Sequence, residues 1–211
     1  WARKAKLFRT EPTDPAITDQ PALDVSPEDA LMELIVSPRN LKRAWRQVKG
    51  NRGAPGPDGM TIAEFEDWAH ENWAVVRQQL LEGTYQPQPE RRKTIPNPGG
   101  KGERLLGIPN VLDRLIQQAN VQVLTPIFDP GFSESSFGFR PNRSAHEAAK
   151  QVQRFIRQGH AHCVDVDLSK FFDRCHHDVV MSRVSRTVRE RRLLRLIGRY
   201  LRAGVLVEGV L

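Results

Sequence analysis

Two carboxylates stand two residues apart, at Asp165 and Asp167, in a stretch where apolar and polar residues alternate. The alternation over residues 162–168 predicts a strand, on which both carboxylates share one face. Their Cα atoms would lie roughly 6.6 Å apart, so mutual repulsion would raise one pKa unless a cation lay beside them. Carboxylates at a strand end, with room for water and phosphate oxygens, are suited to Mg²⁺. The alternative is an exposed polar face on an edge strand, and this stretch alone favours neither.

The composition limits the function classes. The chain has 211 residues, with 32 Lys and Arg against 25 Asp and Glu, for a formal net charge of +7. This excess of positive charge favours a polyanionic partner. Cys163 and Cys175 are too few for a disulfide framework or a tetrahedral zinc site, so we interpret both as packing residues in a reducing compartment. No apolar run approaches the roughly 20 residues of a membrane span and no signal peptide is recognisable, so we expect a cytoplasmic protein without a membrane partner.

The first part of the chain reads as a leader followed by helices. Residues 1–25 lack a sustained period and predict a loosely held leader. Ser26 followed by proline predicts a helix to about Val36, and Asn40 begins the next helix. On that helix one face is basic, and the glycine-rich and proline-rich loop at 51–59 continues it. Four cations here are candidate nucleic-acid contacts, with a solvated surface as the alternative: Arg43, Arg46, Lys49 and Arg52.

A basic β-hairpin is predicted between residues 91 and 108. Two short strands flank a turn at 96–102 that contains three glycines. Guanidinium and ammonium groups on such a hairpin could close over a triphosphate through charge-assisted hydrogen bonds. The candidates are Arg91, Arg92, Lys93, Lys101 and Arg104. The alternative is an ordinary surface hairpin.

The remaining elements are mainly helical. Asn110 caps a predicted helix, which Pro126 and Pro130 close, with Leu115, Ile116 and Ala119 on its apolar face and Asp113 on its polar face. Residues 135–143 form a loop with two aromatic residues and two arginines, and Ser144 caps a helix to about residue 158. After the opening stretch, residues 178–187 and 191–202 predict two basic amphipathic helices.

Several short motifs follow one another along the chain. In order they are GAPGPDGMT at 53–61, IP at 95–96, RLLGIP at 104–109, DRLIQQ at 113–118, LTPIF at 124–128, SFGFRPNRS at 136–144, DLSKFFD at 167–173 and YLRAG at 200–204. This order closely resembles the first half of bacterial group II intron reverse transcriptases, over nearly all of residues 28–211. The resemblance implies a helix-rich α+β fold, the fingers and partial palm of a right-hand polymerase, with a basic β-hairpin and a central palm strand. Residues 1–25 would be the leader, 26–160 the fingers and 161–211 the first part of the palm.

The resemblance also implies residue roles. Asp167 matches the first catalytic aspartate, a ligand of both Mg²⁺ ions, and the carbonyl of Leu168 would complete the metal shell. Phe172 matches the gate that excludes the ribose 2′-hydroxyl, while Arg92 and Arg104 match contacts to the incoming nucleotide. The family usually has lysine where this chain has Asn97, and Lys101 is the candidate substitute. In the loop at 135–143, Arg140 and Arg143 join the nucleic-acid-binding candidates.

Two function classes follow from the resemblance. The first is an RNA-directed DNA polymerase that uses an RNA template, a DNA primer and dNTPs. The second is a non-catalytic module that binds group II intron RNA and assists its splicing. Family members carry a Tyr-Ala-Asp-Asp hairpin with the remaining catalytic aspartates, and no such sequence occurs here. Because two metal ions need several carboxylates, we expect the 211 residues alone to be inactive. The sequence leaves open whether the chain forms a homodimer.

Overall fold

The computed structural model describes residues 30–97, 102–169 and 171–207. The predicted leader, the helix start at Ser26 and the side chain of Lys101 lie outside these residues. The described part is a helix-rich α+β structure with one small mixed sheet, which confirms the fold class at that level. Chain contacts divide it into two units, the first containing residues 30–123 and 177–207 and the second residues 124–176.

The first unit begins with three helices, α1 (Leu31–Ile35), α2 (Pro38–Gly50) and α3 (Ile62–Glu82). Helix α2 starts two residues before the predicted Asn40, because the side chain of Ser37 accepts a hydrogen bond from the Asn40 backbone and caps the helix there. Its buried residues, at helical spacing, are Leu41, Ala44, Trp45 and Val48.

Helix α3 has a sequence signal at each of its ends. Thr61 and Glu64 form a reciprocal capping box at its start, and Gly83 ends it in the left-handed conformation with φ +68°. Phe65 is fully buried, and its ring centroid lies 5.0 Å from that of Trp45 of α2 in a tilted arrangement. The packing of α2 on α3 is thus built on aromatic residues.

The predicted hairpin is present as strands β1 (Glu90–Pro96) and β2 (Glu103–Ile108). They pair antiparallel, with Arg92 opposite Gly107 and Ile95 opposite Arg104. A short strand β3 (Val205–Leu206) adds to the other side of β1 in parallel, giving the order β2-β1-β3.

Helix α4 (Val111–Phe128) follows the hairpin and continues through Pro126, so the prediction that this proline ends the helix is wrong. Helices α6 (His177–Val184) and α7 (Arg191–Arg202) complete the first unit, and α6 ends three residues before the predicted residue 187. No helix in the described ranges combines the length and apolar character required to cross a membrane.

The second unit contains a 3₁₀ turn at Asp129–Gly131, helix α5 (Ala145–Arg157) with the predicted Ser144 capping box, and a 3₁₀ turn at Phe172–Arg174. The predicted central strand over residues 162–168 is not formed, which corrects that part of the fold prediction. Its apolar residues Val164, Val166 and Leu168 are 84%, 77% and 64% exposed. A strand requires a neighbouring strand for its backbone groups, and the described residues offer none. Cys163 is exposed as well, so it is not a packing residue.

Candidate nucleotide and nucleic-acid sites

The register of the hairpin decides which cations can act together. Directly paired residues project from the same face, and faces alternate along each strand. Arg104, paired with Ile95, therefore lies on the face that also carries Arg91 and Lys93. Arg92, paired with Gly107, lies on the opposite face. The two predicted nucleotide contacts, Arg92 and Arg104, are thus separated by the plane of the hairpin.

Arg91 is held in place by the loop at residues 51–59. Its Nη2 donates to the carbonyl of Pro55 at 2.7 Å, and Nη2 of Arg114 on α4 donates to the carbonyl of Ala54 at 2.8 Å. The Asp58 backbone N–H donates to Oδ1 of Asn110 at 3.3 Å. The loop is therefore fixed against the start of α4 and the base of β1.

Gly56 makes the closest approach between this loop and α4. A Cβ at this position would lie 2.6 Å from the backbone N and 2.7 Å from the Cα of Asn110, and would also collide with Oδ1 of that residue. Only glycine allows this contact, so packing against α4 requires glycine at position 56. Arg52, beside the loop, is exposed and has φ +46°.

A buried carboxylate, Asp113, lies in the first turn of α4 beside the segment that enters β1. It is 1% exposed, and its Oδ1 accepts hydrogen bonds from the hydroxyls of Tyr85 at 2.8 Å and Tyr200 at 3.0 Å. The backbone N–H of Gln88 approaches its Oδ2 at 3.4 Å. These contacts join the segment that enters β1 to α4 and α7.

Burial changes the pKa values of Asp113 and of the two tyrosines that donate to it. It raises the pKa of Asp113 above the usual value, although the hydrogen bonds from both tyrosines oppose the shift. Burial and the nearby carboxylate raise the pKa of both tyrosines as well. Helical periodicity does not identify this site, because it places Asp113 among polar residues. The available signal was that the chain has two tyrosines in all, and both donate to Asp113.

On α2, the predicted nucleic-acid contacts differ in their surroundings. Arg43 and Arg46 are exposed. Lys49 forms a 2.7 Å ion pair with Oε1 of Glu66, which also accepts from Nε1 of Trp45 at 2.8 Å. The bonds from Lys49 and Trp45 lower the pKa of Glu66.

In the second unit, Arg140 is largely enclosed by its own loop. Its side chain is 7% exposed and donates to the carboxylate of Asp129 and to the carbonyls of Asp129, Ser133 and Ser136. Arg143 pairs with Glu134 at 2.6 Å and lies over the ring of Phe137 at 5.6 Å. Arg140 thus organises the loop, and nucleic-acid contact by either arginine stays a prediction.

The predicted catalytic residue, Asp167, lies with its neighbours in exposed backbone, and the Phe172 ring is 88% exposed. The Asp167 carboxylate and the Leu168 carbonyl are oxygen donors of the type that Mg²⁺ binds. No group of three or more His, Cys, Asp or Glu within the described ranges could hold a metal ion. These residues therefore do not form a complete magnesium site by themselves.

Comparison with known proteins gives a consistent set of relatives. A sequence profile of the family described as "Reverse transcriptase (RNA-dependent DNA polymerase)" matches residues 95–206. The chain is 34% identical to Protein YkfC of Escherichia coli (strain K12) over 211 residues, covering 97% of the chain and 53% of YkfC. It is 34% identical to Group II intron-encoded protein LtrA of Lactococcus lactis subsp. cremoris over 163 residues, covering 77% of the chain and 27% of LtrA.

A plant relative shares a shorter region. Nuclear intron maturase 2, mitochondrial, of Arabidopsis thaliana is 35% identical over 85 residues, which is 40% of the chain and 11% of that protein. The chain thus spans about half the length of YkfC and about a quarter of the length of LtrA.

Proposed function

Because the chain belongs to the reverse transcriptase family, in its group II intron branch, we propose that it forms part of an RNA-directed DNA polymerase that also binds group II intron RNA. The observation that carries the proposal is the family match over residues 95–206, which includes the hairpin strand β2 and Asp167. The activity of the whole protein, with RNA template, DNA primer and dNTPs, belongs to this proposal.

The hairpin would contact the triphosphate of the incoming nucleotide. Arg104 and Lys93 are exposed on one face, where both can reach the same phosphate oxygens through charge-assisted hydrogen bonds. Arg91 shares that face, but its bond to Pro55 fixes it as a support. Arg92 stays a proposed contact. Because it projects from the other face, we expect it to contribute less to nucleotide affinity than Arg104 does. Lys101 stays a proposed substitute for the lysine that the family has at position 97.

Asp167 would contribute one carboxylate to the polymerase site. We propose that the other carboxylates come from parts of the whole protein beyond the described residues, since its relatives are longer. Two bound Mg²⁺ ions would supply charge stabilisation for phosphoryl transfer. Within this chain, Asp167 and the Leu168 carbonyl would hold metal, and the exposed ring of Phe172 would lie beneath the sugar and leave no room for a 2′-hydroxyl.

The assignment of residues 26–160 to the fingers and 161–211 to the palm is part of the same proposal. The proposal also includes a cytoplasmic location, with which the free thiols of Cys163 and Cys175 are consistent. It further includes the formation of a homodimer. Intron RNA would contact the basic residues of α2 and its following loop, where Arg43, Arg46 and Arg52 are exposed.

Primer extension by the full-length protein tests the catalytic proposal. We expect Mg²⁺-dependent DNA synthesis on an RNA template, and no synthesis by the 211-residue chain alone. The second candidate is a non-catalytic RNA-binding module, which the incomplete carboxylate set favours. A full-length protein that accelerates splicing of its intron RNA but never extends a primer would establish that second function instead.

A further inference from the structure

The arginines of residues 183–199 divide into two groups. Arg192, Arg195 and Arg199 donate to backbone carbonyls at and just beyond the end of α3, which are those of Leu81, Gly83 and Tyr85. Cations are stabilising at such a helix end, because its carbonyls carry partial negative charge. These three arginines therefore have an internal role, although the helical period predicts a basic outward face.

The second group runs from the end of α6 to the first residue of α7 and is exposed. It consists of Arg183, Arg186, Arg189 and Arg191, and we call residues 183–191 the arginine turn. None of these four guanidinium groups has a hydrogen bond or ion pair with any residue in the described ranges. Four positive charges thus fall within nine consecutive residues without internal neutralisation.

Burial alternates with exposure at the end of this segment. Val188 is 1% exposed and Glu190 is 5% exposed, whereas Arg189 between them and Arg191 after them are exposed. Arg183 and Arg186 are joined by a turn, in which the Arg186 N–H donates to the Arg183 carbonyl at 3.3 Å.

The backbone of the arginine turn is well fixed. The N–H groups of Thr187 and Val188 donate to the Val184 carbonyl at 3.1 and 2.9 Å. The carboxylate of Glu190, the acidic residue of the turn, accepts from the Met32 backbone at 2.8 Å and pairs with Arg192. The only carboxylate in residues 183–191 is thus neutralised in the interior.

We propose that the arginine turn is an RNA-binding surface that contacts the phosphate backbone. The inference rests on the proposed function for the choice of RNA as the polyanion. Guanidinium groups bind phosphate through paired hydrogen bonds, and such contacts do not depend on sequence. An acidic protein partner fits less well, because the centre of a protein interface is usually apolar or aromatic, and no apolar residue of 183–191 is fully exposed.

Salt-dependent binding tests the surface. The probe is a short RNA duplex of mixed sequence, titrated with the 211-residue chain at several salt concentrations. The slope of log affinity against log salt should become shallower by roughly 0.9 for each phosphate that a variant no longer neutralises. We therefore expect the triple variant Arg183→Gln, Arg186→Gln and Arg189→Gln to reduce the slope by two to three such steps, while Arg→Lys at the same positions keeps the slope.

A matched control removes three cations from α5, with Lys150→Gln, Arg154→Gln and Arg157→Gln. An equal change in slope for both triple variants would mean that only net charge matters, and would overturn the inference. An unchanged slope in the arginine-turn variant, with RNA binding by the wild type intact, would also overturn it and leave the proposed function standing. Absence of RNA binding by the wild type at low salt would instead contradict the RNA-binding part of the proposed function, and the inference with it. Circular dichroism melting confirms that each variant is folded.

Discussion

The hydroxyl of Tyr85 donates a 2.8 Å hydrogen bond to Oδ1 of Asp113, and both side chains are at most 5% exposed. The bond joins the chain that enters β1 to the first turn of α4. No ion pair within the described ranges neutralises this carboxylate. The position of the hairpin base therefore depends on a buried acid that is held by hydroxyl groups.

The first prediction concerns the pH dependence of stability. Burial raises the folded-state pKa of Asp113, so the Asp113 carboxyl group binds its proton more tightly in the folded state than in the unfolded state. Its contribution to stability is fully present below about pH 4 and is lost as the pH rises through the folded-state pKa. In Asp113→Asn this titration is absent. We expect the free energy of unfolding of the wild type, minus that of the variant, to fall as the pH rises above about 4 and through the folded-state pKa.

Urea denaturation of both proteins across this range measures the difference. Burial also raises the pKa of Glu190. This residue titrates in both proteins, so its contribution to the difference in the free energy of unfolding largely cancels. A difference that increases with pH would show that the pKa of Asp113 is lowered in the folded state, contrary to our expectation.

The second prediction compares two glycines. Gly56→Ala places a Cβ against the backbone of Asn110, which cannot rotate away as a side chain could, so we expect a loss of roughly 1–3 kcal/mol in the free energy of unfolding. Gly50→Ala, at the end of α2, meets no atom within 4 Å and should stabilise the chain by up to about 1 kcal/mol through helix propensity. Thermal melting of the two variants is the measurement. Equal effects would contradict the close contact.

Much of the fold follows from local signals in the sequence. The capping box at Thr61, the left-handed glycine at 83 and the hairpin turn each depend on residues that are close in sequence. Asp113 could not be placed in the same way, because its partners Tyr85 and Tyr200 stand 28 and 87 residues away. Helical periodicity reports which residues share a face, but it does not report which partner covers that face.

The same limit explains the other differences. The alternation at 162–168 is typical of a strand, yet strand formation depends on a pairing partner that lies elsewhere in a chain. The arginines of α7 have the spacing of a solvated face, but the carbonyls at the end of α3 bind three of them. For the candidate site, the sequence supplied the residue types, and the hairpin register then separated Arg92 from Arg104.

The third prediction concerns Arg192, which bonds both oxygens of Glu33 at 2.7 and 2.8 Å and also pairs with Glu190. Arg192→Lys cannot reproduce this planar fork, and it leaves the buried carboxylate of Glu190 poorly paired. We expect it to cost about 2–4 kcal/mol in the free energy of unfolding. Glu33→Gln, at a more exposed partner, should cost no more than about 1 kcal/mol. Denaturation of the two single variants and the double variant measures the coupling, and additive effects would argue against it.

The fourth prediction ranks the hairpin arginines by nucleotide affinity in the full-length protein. Arg104→Ala removes a charge from the face shared with Lys93, so we expect the KM for dNTP to rise roughly tenfold, the loss of one charge-assisted hydrogen bond. Arg92→Ala removes an equal charge from the other face and should raise KM much less. Steady-state primer extension at varied dNTP concentration separates the two. A larger effect at Arg92 would mean that the nucleotide binds the opposite face of the hairpin.

The last prediction ranks Asp167 above Asp165 and identifies the sugar gate. Both carboxylates are exposed in the same extended segment, so burial does not distinguish them. The family pattern does, because Asp167 precedes the ring of Phe172 by the family's spacing. Asp167→Asn keeps the size of the side chain but removes the charge that a metal ion requires, and we expect the rate of primer extension by the full-length protein to fall on the order of 10²-fold or more. Asp165→Asn is the matched control and should lower the rate far less.

Phe172→Ala should allow the full-length protein to use ribonucleotides, while its use of deoxynucleotides is only partly impaired. Loss of synthesis in Asp165→Asn with activity retained in Asp167→Asn would shift the metal site by two residues, and the assignment of Phe172 as the gate would then be wrong as well.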